Sequence, residues 1–188
     1  MVTNANNARI WGGDNDSIWL APVGTTLPTT IDAAPGAGFE DVGWIHEDGI
    51  TETANGSKEV IRGHQGAGVV RTRMSETGTS IAFTALEDKA QTNSLRYHEK
   101  SSEVTAGVRK VTRGAGQRVS ARAAVIDLYD IDNETIRKRL VIPRLEIVPT
   151  GDKTYSNADI SGFGFESEII GDYEVFETVT ETPEGPEA

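Results

Sequence analysis

Three histidines, His46, His64 and His98, are the residues best suited to proton transfer or metal binding in this 188-residue chain. They are widely separated, and none has a second ligand at the i, i+4 spacing that sets two donors on one helix face. His46 precedes Glu47 and Asp48, but these three fall in a predicted hairpin turn, where a solvated turn accounts for them. Asp130, Asp132 and Glu134 begin like a calcium loop. The central glycine and the closing bidentate acid are missing, because Ile136 and Leu140 occupy that stretch. They read as a polar turn, as does Asp14-Asn15-Asp16.

Gly63-His64-Gln65-Gly66-Ala67-Gly68 lacks the Lys-Ser/Thr pair and following helix of a phosphate loop, so it reads as a hairpin connection or mobile loop. No Gly-x-Ser-x-Gly elbow presents a nucleophile. With no cysteine there are no disulfides, thiolate nucleophiles, iron–sulfur clusters or cysteine zinc sites. Carboxylate pairs are plentiful, and nothing marks one as acid and base. The residues therefore predict no catalytic, cofactor or metal site, and a protein that is not an enzyme.

The elements that would carry these residues are short strands. Ser17 to Ala21 reads as a first strand stopped by Pro22, and residues 23–41 as a long connection rich in Gly, Pro, Thr and Ala. Val42 to His46 runs to Asp48-Gly49, and Ile50 to Ala54 to Asn55-Gly56. Both dipeptides favour tight hairpin turns. Ser57 to Arg62, Val69 to Met74 and, after a turn at Glu76-Thr77-Gly78, Thr79 to Leu86 continue the pattern. One helix is predicted over Asp88 to about Tyr97, with Asp88 as cap, Gln91 in the capping-box position, and Ala90, Ser94 and Tyr97 on one face.

Beyond Gly114-Ala115-Gly116, Val119, Ala121, Ala123 and Val125 alternate with Arg118, Ser120, Arg122 and Ala124. Ile136, Leu140 and Ile142 alternate with Arg137, Arg139 and Val141. Phe163, Phe165 and Ile169 face away from Glu166 and Glu168, and Tyr173 to Phe176 would extend that strand. The count of strands predicts a mainly β fold: a β-sandwich or partly closed barrel with one short α-helix packed outside. Trp19 and Trp44 lie in predicted strands and are expected in the core. Trp11, in a glycine-flanked polar segment, suits either an interface anchor or packing over the domain's own core. The domain plan is a flexible arm over 1–16, a single domain over 17–179 and an acidic disordered tail over 180–188.

Charge is unevenly spread. The formal net charge is −11, yet Arg109 to Arg144 holds nine basic residues against four acidic ones, and nine acids with no base follow Lys153. Solvated strand faces and an acidic tail would explain this. So would self-complementarity, with a basic face on one copy meeting an acidic face on the next. Neither suits sequence-specific DNA binding. Met1 to Ala8 does not read as a secretory leader, and no apolar run reaches membrane-span length, so a soluble chain is expected.

Several stretches together resemble the major tail tube protein of long, non-contractile-tailed bacteriophages of siphophage type, particularly those with actinobacterial hosts. They are Ile18-Trp-Leu-Ala-Pro-Val-Gly-Thr-Thr-Leu-Pro28, Gly43-Trp-Ile-His-Glu-Asp-Gly-Ile50, Ser80-Ile-Ala-Phe-Thr-Ala-Leu-Glu87, Leu140-Val-Ile-Pro-Arg144 and Gly151-Asp-Lys-Thr-Tyr-Ser-Asn157. The similarity spans roughly Ser17 to Glu174.

It implies a β-sandwich subunit forming hexameric rings that stack into a tube, with an inner barrel completed by ring formation. Such a tube houses the tape-measure protein, meets tail-tip and tail-terminator proteins, and conducts genomic DNA without sequence-specific binding. The setting is a virion tail, after synthesis in the bacterial host cytoplasm, and the chain is expected to carry no extra immunoglobulin-like domain. On this reading Glu47, Asp48, Glu52 and Glu59 are expected near the lumen or the next ring. Trp11, Arg118, Arg122, Arg137, Arg139, Glu166 and Glu168 are expected at subunit interfaces. A tail terminator, a capsid decoration protein or a standalone ligand-binding β-sandwich are the alternatives.

Overall fold

The computed structural model describes residues 8–179. Ten strands and one helix follow in the order β1 (Ser17–Pro22), β2 (Glu40–Asp41), β3 (Ile45–Arg62), β4 (Val69–Ala85), α1 (Ala90–Arg96), β5 (Glu99–Thr105), β6 (Val108–Arg113), β7 (Ser120–Tyr129), β8 (Arg137–Thr150), β9 (Phe163–Ile169) and β10 (Glu174–Glu177). The main sheet runs β2-β1-β7-β8-β9-β4-β3, with β10 beside β8, and every pair is antiparallel. Strands β5 and β6 form a separate two-stranded sheet.

The sheet curls so that residues from both of its halves share one core. Ile18 and Leu20 of β1 meet Ile126 of β7, Leu140, Ile142, Leu145 and Ile147 of β8, Phe163 and Phe165 of β9, and Ile81 and Phe83 of β4. Phe83 and Phe165 lie with ring centroids 5.4 Å apart, within the range where aromatic pairs add stability beyond burial. The two outer strands are not bonded to each other. The segment Val42–Trp44 straps the gap at one end instead: Val42 N–H donates to Ile18 O (2.9 Å) and Leu86 N–H to Trp44 O (2.8 Å).

The middle of β7 is covered on its other face too. Ala21, Ala123 and Val125 pack there with Phe39, Leu27 and Trp19, so the 23–41 connection lies over the sheet rather than apart from it.

Several local expectations are corrected. Asp48-Gly49 is not a hairpin turn: Ile45 pairs with Ala85 and Ile50 with Phe83, so His46–Gly49 bulges out of one continuous strand, with Gly49 at φ 74° supplying the left-handed residue. Asn55-Gly56 likewise stays within β3, and Glu76 (φ 53°) is the extra residue of a bulge in β4 rather than part of a chain reversal. The true reversal is Gly63–Gly68, closed by Gly63 N–H to Gly68 O at 2.9 Å. Trp44 is 77% exposed instead of buried, because the strap holds its backbone and leaves the ring outside, whereas Trp19 is half-buried.

The helix is capped from Lys89, whose N–H donates to Thr92 Oγ1 (3.0 Å), not by Asp88 with Gln91. Its buried side is Thr92, Asn93, Leu95 and Arg96, and Leu95 enters the main core. Tyr173–Phe176 does continue past β9, as β10, along the same edge of β8 after a break at Gly171.

Candidate assembly surfaces

Two hairpins leave the body with both faces wet. Strands β3 and β4 run together well past Ser80, the last residue of β4 that pairs with β9. From Thr51 round to Met74 every residue is exposed except the half-buried Gly63. Between Thr79 and Val69 this arm extends about 35 Å at the usual strand rise. From Ser57 to Ser75 it carries Lys58, Arg62, Arg71 and Arg73 against Glu59 alone, a basic extension on an acidic chain.

The cross-strand register sorts the arm's faces. Glu59 lies opposite Arg73, forming an ion pair, and Ile61 lies opposite Arg71. Lys58 is opposite Met74, and Val60 opposite Thr72 on the other face. Val60, Ile61, Val69, Val70 and Met74 are all exposed. The β5–β6 hairpin turns at Ala106-Gly107 (φ 49° and 80°), the backbone of a tight two-residue reversal. Arg109 pairs with Glu99 (2.6 Å), and Arg113 stacks 3.6 Å over Tyr97.

A third surface is the outer face of β3, β4, β9 and β8. Opposite the core-facing Phe163, Phe165, Ser167 and Ile169 stand Gly164, Glu166 and Glu168. Thr84 pairs with Gly164, Ala82 with Glu166 and Ser80 with Glu168, and Glu146 of β8 lies directly across from Glu168. Like charges in that position oppose sheet formation. Arg144 on Glu146 (2.6 Å) and Asn55 on Glu168 (3.4 Å) offset part of this. The face therefore carries three glutamates, with Ser80, Ala82, Thr84 and Gly164 beside them and Arg144 and Val148 on its β8 side.

The arginines divide. Arg139 is buried: Nε and Nη2 donate to the two Asp127 oxygens (2.5 and 2.8 Å), and Nη1 donates to Thr30 O and Ala33 O (3.1 and 2.6 Å). It ties the 23–41 connection to β7 and β8. Arg137 is half-buried, donates to Tyr129 Oη (3.3 Å) and pairs with Asp32, which together hold its guanidinium above its ordinary value. Arg118 is exposed. Arg122 is half-buried and donates to the Ala121 carbonyl (3.2 Å); burial, then the Arg118 charge, push its value down.

Of the acids, Glu47 and Asp48 sit in the bulge opening β3, with Asp48 3.0 Å from His46. Glu52 accepts from Tyr173 Oη (3.3 Å) and Glu59 is on the arm. The structure thus sets Glu166 and Glu168 on one face of β9, with Glu47 and Asp48 two strands away in the β3 bulge. Trp11 is 40% exposed and bridges to Asp130, so the described part of the 1–16 segment lies against the β7 end. Residues 1–7 and the 180–188 tail lie outside the described residues. Sequence reasoning misses Glu146, the arm's Arg71 and the whole β5–β6 hairpin; the charge surplus over Arg109–Arg144 is the one signal that touches any of them. Among the described residues no three His, Asp or Glu converge as a metal site, and no helix is long and apolar enough to cross a membrane.

A subunit with two free hairpins and unpaired sheet edges is built to meet other chains. A family model described as phage tail tube protein matches residues 1–180. The chain belongs to the phage tail tube protein family. Among curated proteins none matches it. A tail tube protein is a structural, non-enzymatic component of the virion tail, which agrees with the β-rich fold.

Proposed function

We propose that the chain polymerises as stacked hexameric rings into the tube of a long, non-contractile phage tail, with an actinobacterial host. The tube houses the tape-measure protein, ends at tail-tip and terminator proteins, and passes genomic DNA without binding its sequence. The observation that carries this reading is the family match over 1–180 in a chain whose sheet edges are open. Neighbours in a ring would pair those edges and complete an inner barrel.

The acidic face with Glu146, Glu166 and Glu168 is the lumen wall on this reading, in place of the subunit contact expected of Glu166 and Glu168 from the sequence. Its three carboxylates repel phosphates, the groups that would otherwise make DNA stick. Glu47 and Asp48, at the far end of β3, then belong to contacts between rings, and Arg118 with Arg122 to contacts between subunits. Glu166→Lys with Glu168→Lys should leave particles with normal tails but lower infectivity, read as plaque titre per particle; unchanged titre would remove the lumen assignment.

The tube itself is tested by negative-stain electron microscopy of the concentrated full chain, followed by immunogold labelling of virions. Hollow tubes, and label along the tail, are expected. Label on the capsid or at one tail end alone would overturn the reading in favour of a decoration or terminator protein.

A further inference from the structure

Lys153 lies in the connection between β8 and β9, yet its side chain is only 4% exposed. Its Nζ stands 3.3 Å from the centre of the fully buried Phe163 ring and 5.4 Å from that of Tyr155. A buried amine so placed has no part in any of the assembly surfaces. Two tethers flank it and hold the connection against α1. Arg96, itself buried, donates through Nη1 to Thr150 O (3.3 Å) and through Nη2 to Gly151 O (2.9 Å). On the other side the hydroxyls of Tyr155 and Tyr97 share a hydrogen bond.

The amine meets Asp88, which the sequence offers as a helix cap and which the fold does not use as one. Asp88 Oδ2 is 3.5 Å from Lys153 Nζ, and its other oxygen, Oδ1, accepts from Asn93 Nδ2 at 2.5 Å. One carboxylate therefore bridges an amine and a primary amide. Asn93 is buried, and its partners fix which way the amide points. Nδ2 also donates to Lys89 O (2.9 Å), while Oδ1 accepts from Arg113 Nη2 (3.1 Å). The Arg113 cation thus sits on the oxygen that gains negative charge when the amide carbon is attacked. An amine held out of water, a carboxylate to carry its proton and an amide with a cation on its oxygen are the parts that amide exchange needs.

We propose that Lys153 and Asn93 join in an intramolecular isopeptide bond, with Asp88 as the catalytic proton carrier. Asp88 takes a proton from the Lys153 ammonium. The freed electron pair on Nζ bonds to Asn93 Cγ, and the carbonyl pair moves onto Oδ1 against Arg113. Collapse of this intermediate breaks Cγ–Nδ2. Asp88 returns its proton to the departing nitrogen, the surplus proton on Nζ follows it, and ammonium leaves. No atom is oxidised or reduced. Asp88 is 68% exposed, which gives the ammonium a way out to solvent. The bond ties α1 covalently to the β8–β9 connection in a chain without cysteine, and constrains the unfolded chain as a disulfide does. It forms within one copy, so it goes beyond the tube reading and does not depend on it.

Denaturing mass spectrometry of the purified full chain tests this directly, because the bond survives unfolding. The expected mass is that of the sequence less one ammonia. Trypsin should then fail to cut after Lys153 and release a branched peptide joining residues 90–96 to 145–188. Asp88→Asn keeps both reacting groups and removes the proton carrier, so it should show no such loss. Lys153→Arg keeps the charge and should show none either. A parent chain at the full sequence mass overturns the bond, whatever the variants do. Loss of one water, with residue 88 in the branch, would put the bond on Asp88 and overturn the choice of Asn93. Ammonia loss that maps to Asn55-Gly56, as closure to a succinimide, with peptide 90–96 unbranched, would overturn it as well. The branched peptide persisting in Asp88→Asn would sink the role given to Asp88.

Discussion

Arg139 and Asp127 are each about 4% exposed and bond to each other through two hydrogen bonds. Removing one member leaves the other as a buried, unpaired charge, a loss of about 3–5 kcal/mol in comparable sites. Arg139→Leu should therefore lower stability by about that amount, measured by urea unfolding followed through tryptophan emission. Adding Asp127→Leu should recover part of it, because the apolar pair leaves no orphan charge while the Thr30 and Ala33 carbonyls still lack their donor. Asp16 behaves differently. Burial, against the Tyr129 N–H bond at 2.7 Å and with the Asp127 charge, raises its carboxyl above 3.8. The folded protein thus holds that proton more tightly than the unfolded chain, and stability is lost as pH rises from 3.8 through the raised folded value. Asp16→Asn keeps an acceptor for Tyr129 and cannot ionise. It should match the parent at acid pH and be the more stable of the two at neutral pH, by paired urea titrations.

At the scale of elements, two glycines separate body from appendage. A side chain at Gly164 would meet the Thr150 carbonyl oxygen at 2.8 Å, inside the main sheet. Gly164→Val should cost about 1–3 kcal/mol by overpacking and lower the melting temperature. Gly107→Val strains the β5–β6 reversal (φ 80°), but that hairpin pairs with no strand of the main sheet. Its expected effect is faster amide exchange over residues 99–113 with the melting temperature unchanged.

The same distinction explains what the sequence reveals. Strands with one buried face, such as Phe163-Gly-Phe-Glu-Ser-Glu-Ile169, announce themselves by alternation. Lys100 to Lys110 buries neither face, so it has no such period and gives no strand signal. Asp48-Gly49 signals a left-handed residue correctly. Only the partner strand decides whether that residue makes a turn or a bulge, and the register of β4 is a non-local fact. The acidic outer face is hard to read from sequence in part for the same reason: Glu146 and Glu168 are neighbours only once β8 and β9 pair.

For the whole molecule, the basic β3–β4 arm on a chain of formal net charge −11 makes association between copies sensitive to salt. Exposed charges are screened over about 10 Å at 0.1 M ionic strength and about 3 Å at 1 M. Polymer yield should fall as sodium chloride rises across that range, by sedimentation, and return on dialysis. The Lys58→Glu, Arg71→Glu chain should show a weaker dependence.

The place of β1 in the sheet has a bearing on how the protein is made. It lies beside β7, with Ser17 opposite Asp127 and Pro22 opposite Arg122. At about 5–20 residues per second on the ribosome, β1 emerges roughly 5–20 s before that partner exists. Pairings so distant in sequence also belong to the slower class of folding reactions. For those seconds Ile18-Trp19-Leu20-Ala21 has only the two residues of β2 to pair with, and its other edge waits open to a host chaperone.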